Sequence, residues 1–428
     1  MHVVALNQFY APDRSATAQL LTELAEGLVR RGHRVTVVTS GPRFSSALRD
    51  PRVHEQREGV HVIRIPSTHF GKRSLVSRAA DYASFYVGAT RALGTLPERP
   101  DVFLPLTTPP MVTLAAQLAA LPLRVPVVAL VQDLYPDIAV RLGVIRSHGL
   151  THRTWAAVAG ASLRHAARVV ALSEPMADHL RAYGVAPERL EVIPNWALAE
   201  LEAAPPVNAG AEARLEYGLG DRFVVMYSGN LGASHRFDTL LAAARRLRDR
   251  SDIVFVFIGE GVRRAEVERF VARESLANVR VLPLAPRERL AESLAAADLH
   301  VITLRDGLEG LVVPSKLYGI LAAERPALFI GPDRDSAART LDAADAGLGF
   351  ENGDVSGVAE AITALAADPE RGRRMGQRGR VHLLSELSQK RALDAYERVL
   401  AQACRRPIVR VVGDARPLTA RGDLGGAR

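Results

Sequence analysis

The stretch Glu309-Gly310-Leu311-Val312-Val313-Pro314-Ser315-Lys316-Leu317-Tyr318-Gly319 concentrates groups that could hold an anion. A proline is well suited to the first turn of a helix, so a helix is expected to start near Pro314 with Ser315 and Lys316 in that turn. Backbone amides, a hydroxyl and a mobile ammonium would then converge where a diphosphate could lie. Lys316 stands out for two reasons. Only three of the 55 basic residues are lysines (Lys72, Lys316 and Lys390), and a lysine at a helix start opposes the helix dipole. Glu309 has the chemistry to accept hydrogen bonds from sugar hydroxyls; the plainer alternative is a solvated loop carboxylate. Gly310 and Leu311 beside it join the donor-binding set.

Two further loops are rich in small residues. Ser228-Gly229-Asn230-Leu231-Gly232-Ala233-Ser234-His235-Arg236 follows the apolar run Phe223–Tyr227, and Gly259-Glu260-Gly261 follows Ile253–Ile258. Glycines let backbone N–H groups approach a phosphate, and His235 or Arg236 could add positive charge. A tight turn carrying a solvated basic pair remains the alternative. The spacing is not G-x-G-x-x-G, so no dinucleotide fingerprint is read. In the first half, Gln132-Asp133-Leu134-Tyr135-Pro136-Asp137 follows a strand-like run. Asp133 there could act as a base or accept from a hydroxyl, while Asp137 could equally cap a helix. Thr107-Thr108-Pro109-Pro110 occupies a similar place, and the loop holding Ser15 and Thr17 could assist an acceptor or a diphosphate.

These loops need a scaffold, and the hydrophobic pattern supplies one. His2–Leu6, the helical spacing of Leu20, Leu21, Leu24, Ala25 and Leu28, and Arg34–Val38 form a βαβ unit at the start. Strand-like runs recur at Val60–Ile65, Val102–Leu106, Val125–Val131, Val169–Ala171 and Leu190–Ile193, separated mostly by helix-length segments. The segment 199–213, with Pro205-Pro206 and few large apolar residues, reads as an interdomain linker. Alternation then resumes through Ile253–Ile258, Val279–Leu282, Leu299–Thr303 and Ala327–Ile330. Near-continuous apolar strands alternating with helices mean parallel sheets covered on both faces. The fold class is α/β, with two tandem Rossmann-like, doubly wound domains facing across a cleft. They span 1–200 and 213–385, a closing helix spans 386–404, and a disordered tail is expected over 405–428. Ligands of such sheets bind at the carboxyl ends of the strands, where all the loops above lie.

Composition narrows the function. One cysteine, Cys404, excludes a disulfide framework and a cysteine metal cluster; no metal or cofactor is expected. No apolar run is long enough to span a bilayer, and no signal peptide is read at the N-terminus. The expected location is cytoplasmic, with the option of a peripheral place on a membrane. The net charge of +8 divides into +6 over residues 1–200, −2 over 201–404 and +4 over 405–428, which suits an anionic partner in the first half. The segment 69–93, with Lys72, Arg73, Arg78 and Arg91 among aromatic and aliphatic residues, reads either as a basic amphipathic helix on an anionic membrane or as a core-facing helix. Aromatics at 5% and the absence of a nucleic-acid-binding pattern argue against nucleic acid.

In order along the chain, these pieces resemble the retaining GT-B glycosyltransferases of family 4, above all the bacterial branch that builds surface polysaccharides. The carriers are Phe9-Tyr10-Ala11-Pro12-Asp13, Arg31-Gly32-His33-Arg34-Val35, Thr108-Pro109-Pro110, Gln132-Asp133-Leu134-Tyr135-Pro136-Asp137, Ile193-Pro194-Asn195-Trp196, Ser228-Gly229-Asn230-Leu231-Gly232 and Val313-Pro314-Ser315-Lys316-Leu317-Tyr318-Gly319. The resemblance implies a nucleotide-diphosphate sugar, usually UDP-linked, in the second domain and an acceptor in the first, the acceptor being a glycan or linked to a polyprenyl diphosphate. It implies that Gly229, Asn230, His235 and Arg236 face the diphosphate, that Ser315 and Lys316 add charge from the other side, and that Glu309 contacts the transferred sugar. Gly259 and Gly261 join the donor set, and Ser15, Thr17, Thr108 and Asp133 the acceptor side, with Asp133, Glu309 and Lys316 carrying catalysis. Two departures stand out: Leu317 occupies the place of the family's second glutamate, and Asn230 with His235-Arg236 replaces the usual arginine and lysine. A nucleotide-sugar 2-epimerase on the same scaffold, or a non-catalytic binding subunit, is the alternative.

Overall fold

In a computed structural model, residues 1–13, 15–41, 53–68, 75–202 and 209–405 are described. The expected disordered tail, apart from Arg405, and residues 69–74 of the basic segment lie outside them.

The first half opens with the βαβ unit read from the sequence: β1 (His2–Leu6), α1 (Ala16–Arg30) and β2 (Arg34–Ser40). It continues through β3 (Val53–Arg57), β4 (Val60–Ile65), α2 (Leu75–Gly94), β5 (Val102–Pro105), α3 (Val112–Leu123) and β6 (Val128–Val131). Then come α4 (Asp137–Arg141), α5 (Leu150–His165), β7 (Arg168–Ala171), α6 (Glu174–Ala182) and β8 (Leu190–Val192). The strands order as β3-β4-β2-β1-β5 and β6-β7-β8, and a bridge between Phe103 and Val127 sets β5 beside β6. All pairings are parallel except β3 with β4. β3 carries no apolar alternation, and it becomes a strand by edge pairing with β4, a long-range cause invisible in its own residues.

The second half holds α7 (Ala199–Glu202), α8 (Ala211–Glu216), β9 (Phe223–Ser228), α9 (Asp238–Arg246), β10 (Ile253–Ile258), α10 (Arg264–Glu274), β11 (Val279–Leu282) and α11 (Leu290–Ala295). β12 (Leu299–Thr303), α12 (Lys316–Ala322), β13 (Ala327–Ile330), α13 (Ser336–Ala343), β14 (Gly347–Phe350), α14 (Val355–Ala367), α15 (Pro369–Glu386) and α16 (Gln389–Arg405) follow. Its six parallel strands run in the order β11-β10-β9-β12-β13-β14. The central strands are buried along almost their whole length, as their uninterrupted apolar sequence requires.

Two crossings tie the halves together, and both meet Glu23 on α1. Its carboxylate accepts from Trp196 Nε1 at 2.7 Å, the Ala199 amide at 2.9 Å and Gln389 Nε2 at 3.2 Å. The segment read as a linker therefore begins as a pinned helical turn, α7. The final helix, α16, returns to the first half, where Arg31 donates to Asp394 at 2.6 Å and His33 pairs with Glu397 at 2.7 Å.

Helix α2 decides between the two readings of the basic segment for its main apolar stripe. Phe85, Ala89 and Leu93 are buried in the core with α3 and β4, and the Tyr86 hydroxyl donates to the Pro110 carbonyl. Those side chains are committed to packing. Among the described residues no helix is long and apolar enough to cross a membrane.

Candidate active site

The carboxyl edge of the second sheet is built from interlocked backbone. After β9, the Gly229 amide donates to Ile258 O at 2.9 Å, and the Leu231 amide donates to Glu260 O at 2.8 Å, lacing the two glycine loops together. Gly259 has φ +141°, and a Cβ there would lie 1.9 Å from the Gly229 carbonyl oxygen. No side chain fits that approach. Gly261 stands in the same way against the Leu231 carbonyl, and Asn230 is exposed at the rim.

Lys316 reaches across this surface from the start of α12, with exposed Ser315 preceding it. Its Nζ sits 3.5 Å from the centroid of the Tyr227 ring, within the range of a cation–π contact. A Cβ on Gly229 would meet Lys316 Cε at 3.6 Å, so the lysine lies directly over the first glycine loop. The ammonium is shut off from solvent and has no hydrogen-bond partner among the described residues. Burial holds its pKa well below the ordinary lysine value. Tyr227 is itself fixed, its hydroxyl donating to Asn230 O at 2.8 Å.

The basic pair expected in the first loop divides. His235 Nδ1 lies 2.7 Å from the Thr303 carbonyl oxygen; since a carbonyl only accepts, Nδ1 carries the hydrogen. Burial, with Lys316 adding repulsion, pushes the His235 pKa down to about 3, so the ring is neutral at physiological pH. The reading of His235 as a source of positive charge is thereby corrected. Arg236 keeps its charge but spends it on Asp238 at 2.9 Å and Asp306 at 3.4 Å on the exposed side. Arg264 also touches the second glycine loop, donating to Gly259 O at 2.8 Å, but it is paired with Glu260 and Glu268, so Lys316 is the cation over the loops that has no acidic or hydrogen-bonding partner among the described residues.

The loop carrying Glu309 is inserted between elements of the first half. The Leu134 amide donates to Leu311 O at 2.9 Å, and Val312 bridges both Asp133 and Glu309. His179 Nε2 bonds the Glu309 carbonyl at 3.2 Å, and Gly310, at φ +71°, would place a Cβ 2.7 Å from the Pro175 carbonyl. Asp133 and Glu309, 176 residues apart in sequence, are so brought to the same place. The Gln132 and Asp133 amides each donate to Thr107 Oγ1 at 3.3 Å, and burial raises the Asp133 carboxyl to about 6. Glu309 Oε2 is buried without a partner among the described residues.

The remaining acceptor-side residues lie at the carboxyl edge of the first sheet. Thr108 O accepts from the Gln8 amide at 2.7 Å, and Ser15 Oγ stands 3.5 Å from Thr17 Oγ1 at the start of α1. Leu317, in the place of the expected second glutamate, is buried in the core. Sequence reasoning passed over Tyr227, His179 and Asp335. Asp335 is fully buried, caps α13 through the Ala337 amide at 2.8 Å, and is raised to about 6 by burial, with Glu309 adding repulsion. The loop 331–335 after β13 obeys the same strand-end rule as the others and could have been found by it. Among the described residues no three His, Cys, Asp or Glu side chains cluster as metal ligands would.

Residues 16–196 match the family described as Glycosyl transferase 4-like domain, and residues 212–382 match Glycosyl transferases group 1. The chain is a family 4 glycosyltransferase. A colanic acid biosynthesis glycosyl transferase by name, WcaI of Escherichia coli (strain K12), is 26% identical over 75% of this chain and 81% of its own length. Among solved structures, sucrose-phosphate synthase from Thermosynechococcus elongatus superposes with a TM-score of 0.73 at 17% identity, covering 94% of this chain and 98% of that one. Anabaena HepE in complex with UDP-glucose gives 0.71 at 15%, covering 94% and 99%. The glycosyltransferase therefore has the GT-B architecture, with Rossmann-like halves and the Asp133 and Glu309 loops meeting between them.

Proposed function

We propose that this glycosyltransferase moves a sugar, with retention of configuration, from a UDP-sugar to a glycan or polyprenyl-diphosphate-linked acceptor in surface polysaccharide synthesis, at the cytoplasmic face of a membrane. The second half, about 213–385, binds the donor and the first, 1–200, the acceptor. The observation that carries this reading is Lys316: a buried ammonium without a hydrogen-bond partner, seated on Tyr227 over the laced glycine loops. Such a group is costly in the free protein and gains most from a bound anion. The names of WcaI and of the HepE complex with UDP-glucose support the pathway and the nucleotide.

In this reading the diphosphate lies across Gly229, Asn230, Gly259 and Gly261, with Ser315 and Lys316 against it, and Glu309, Gly310 and Leu311 hold the sugar. The bond from the anomeric carbon to the diphosphate oxygen breaks, and the acceptor oxygen bonds the same carbon from the same face. Its proton passes to the departing diphosphate. Lys316 stabilises the charge that develops there, which is the principal catalytic effect. Asp133 orients the acceptor or the sugar.

A thermal-shift panel of UDP-, GDP-, dTDP- and ADP-sugars tests the donor, since a ligand of the folded state raises Tm by mass action. A UDP-sugar is expected to stabilise the wild type and not Lys316→Ala. No shift from any of the four with folded protein would overturn the reading. UDP release that requires an acceptor separates transfer from epimerisation.

A further inference from the structure

The loops after β12 and β13 stand side by side at the carboxyl edge of the second sheet. The two strands pair in parallel with Thr303 opposite Ile330, the Leu304 amide donates to Ile330 O at 2.9 Å, and a Cβ on Gly331 would meet Leu304 O at 2.9 Å. In the segments that follow, four buried side-chain atoms have no hydrogen-bond partner among the described residues: Glu309 Oε2 and Lys316 Nζ after β12, Asp335 Oδ2 and Ser336 Oγ after β13. A buried polar atom left unpaired keeps its desolvation cost without return, so folded proteins carry few of them. Four on two adjacent loops call for a ligand that supplies the missing partners.

Asp335 is fully buried, and the fold uses its carboxylate only in part. Oδ1 caps α13 by accepting from the Ala337 amide at 2.8 Å, whereas Oδ2 is left over. Burial raises this carboxyl to about 6; the Ala337 and Ser336 amides and Arg339 pull the other way, and Glu309 adds repulsion. The two carboxyl groups are thus near enough to repel, yet neither Glu309 Oε2 nor Asp335 Oδ2 is hydrogen-bonded among the described residues. Ionised carboxylate oxygens only accept, so a group that satisfies both must bring O–H or N–H donors.

The order of the strands says which part of a sugar nucleotide reaches this place. Lys316 lies on Tyr227 of β9 and the glycine loops follow β9 and β10, while the sheet runs β10-β9-β12-β13. From β9 to β13 is two strand spacings, roughly 10 Å. A diphosphate on the glycine loops with its sugar at Glu309 therefore turns the end of the ring opposite the anomeric carbon toward Asp335. We infer that Asp335, with Ser336, is a specificity-determining contact of the transferase: together with Glu309 it receives the hydroxyl groups at that end of a neutral sugar and repels a sugar that carries a carboxylate there. The inference rests on the donor reading above and narrows its sugar to neutral hexoses rather than uronic acids.

Isothermal titration of the full-length protein tests this with UDP and with two pairs of nucleotides that differ only at the far carbon: UDP-glucose against UDP-glucuronic acid, and UDP-galactose against UDP-galacturonic acid. In the wild type the better-bound neutral sugar is expected to bind about tenfold or more tighter than its uronic acid, because like charges oppose each other in a buried site. Asparagine caps helices as well as aspartate does, so Asp335→Asn should keep the fold and shrink that ratio about fivefold, with the affinity for UDP itself unchanged. Ser336→Ala is expected to weaken the neutral sugar about three- to tenfold, again without effect on UDP. A lowered Tm in Asp335→Asn with the ratio intact would make the residue merely a cap and overturn the inference. Equal binding of neutral and acidic sugars by the wild type would overturn it while leaving the donor reading in place, since UDP would still bind. Loss of neutral-sugar binding on adding EDTA would also overturn it, because the carboxyl pair would then hold a cation. Failure of UDP itself to bind the folded protein would remove the donor reading and the inference with it.

Discussion

In the second half the carboxyl edge of the sheet is made of backbone: glycines at positive φ, laced amides, and a single lysine held on a tyrosine ring. In the first half the corresponding edge is made of side chains, with Asp133 placed by Thr107 and a groove of Leu150, Trp155 and Met111 opening to solvent. The architectures match; the materials differ. A nucleotide diphosphate presents the same phosphates whatever sugar it carries, and rigid amides with a desolvated cation suit it without reorganisation. Acceptors differ in shape and polarity, and side chains on helix ends can be varied without disturbing the sheet.

Breaking the second half at its cation should have the largest effect. Lys316→Ala is expected to lower kcat/KM about 10²–10³-fold, the loss typical of one preorganised charge-stabilising donor, with circular dichroism unchanged. The comparison is sharpened by calorimetry of UDP binding in buffers of different ionisation enthalpy. Because burial holds the Lys316 pKa below the ordinary lysine value and an arriving anion should raise it, proton uptake coupled to binding should grow as the assay pH is raised in wild type, and this pH-dependent part should be absent in Lys316→Ala.

Gly259→Ala attacks the backbone of the same half. With a Cβ 1.9 Å from the Gly229 carbonyl, the loops must part at a cost on the order of 3 kcal/mol, read as a lower Tm and loss of stabilisation by donor. An unchanged Tm would mean that the lacing is dispensable.

The first half should respond differently. Asp133→Asn is expected to reduce kcat/KM for acceptor about 10–100-fold, while the thermal shift from UDP-sugar persists. It should also change the dependence of stability on pH. Burial raises this carboxyl to about 6 against an ordinary 3.8, so between about pH 4 and 6 the unfolded chain has released a proton that the folded chain retains. Stability therefore falls as pH rises through that window, by about 1–3 kcal/mol, and denaturant titrations of the variant should lack that part of the slope.

The smallest effect is expected at Arg236→Ala, within about threefold in kcat/KM, because the guanidinium is engaged in exposed ion pairs with Asp238 and Asp306. A loss comparable with Lys316→Ala would transfer the phosphate contact to Arg236 and reverse the assignment made from geometry.

The α/β alternation, the βαβ start and the placing of candidates after strands were legible in the residues, since apolar periodicity and glycine at strand ends are local consequences of composition and spacing. The same locality exposed Lys316, Glu309 and Asp133 as single residues. It could not show that β3 is a strand, because its polar residues gain that form from β4, nor that α2 turns Phe85, Ala89 and Leu93 into the core. Tertiary structure alone decided that His235 is neutral, a matter of Thr303 lying 68 positions away and of Lys316 beside it, and that the lysine rests on Tyr227. It also decided that Asp133 and Glu309 meet through Val312 and that Trp155 backs the Asp133 loop. The dividing line is physical: a residue's type and its place on a strand or helix follow from its neighbours in sequence, whereas its protonation and its partner depend on what the fold packs against it.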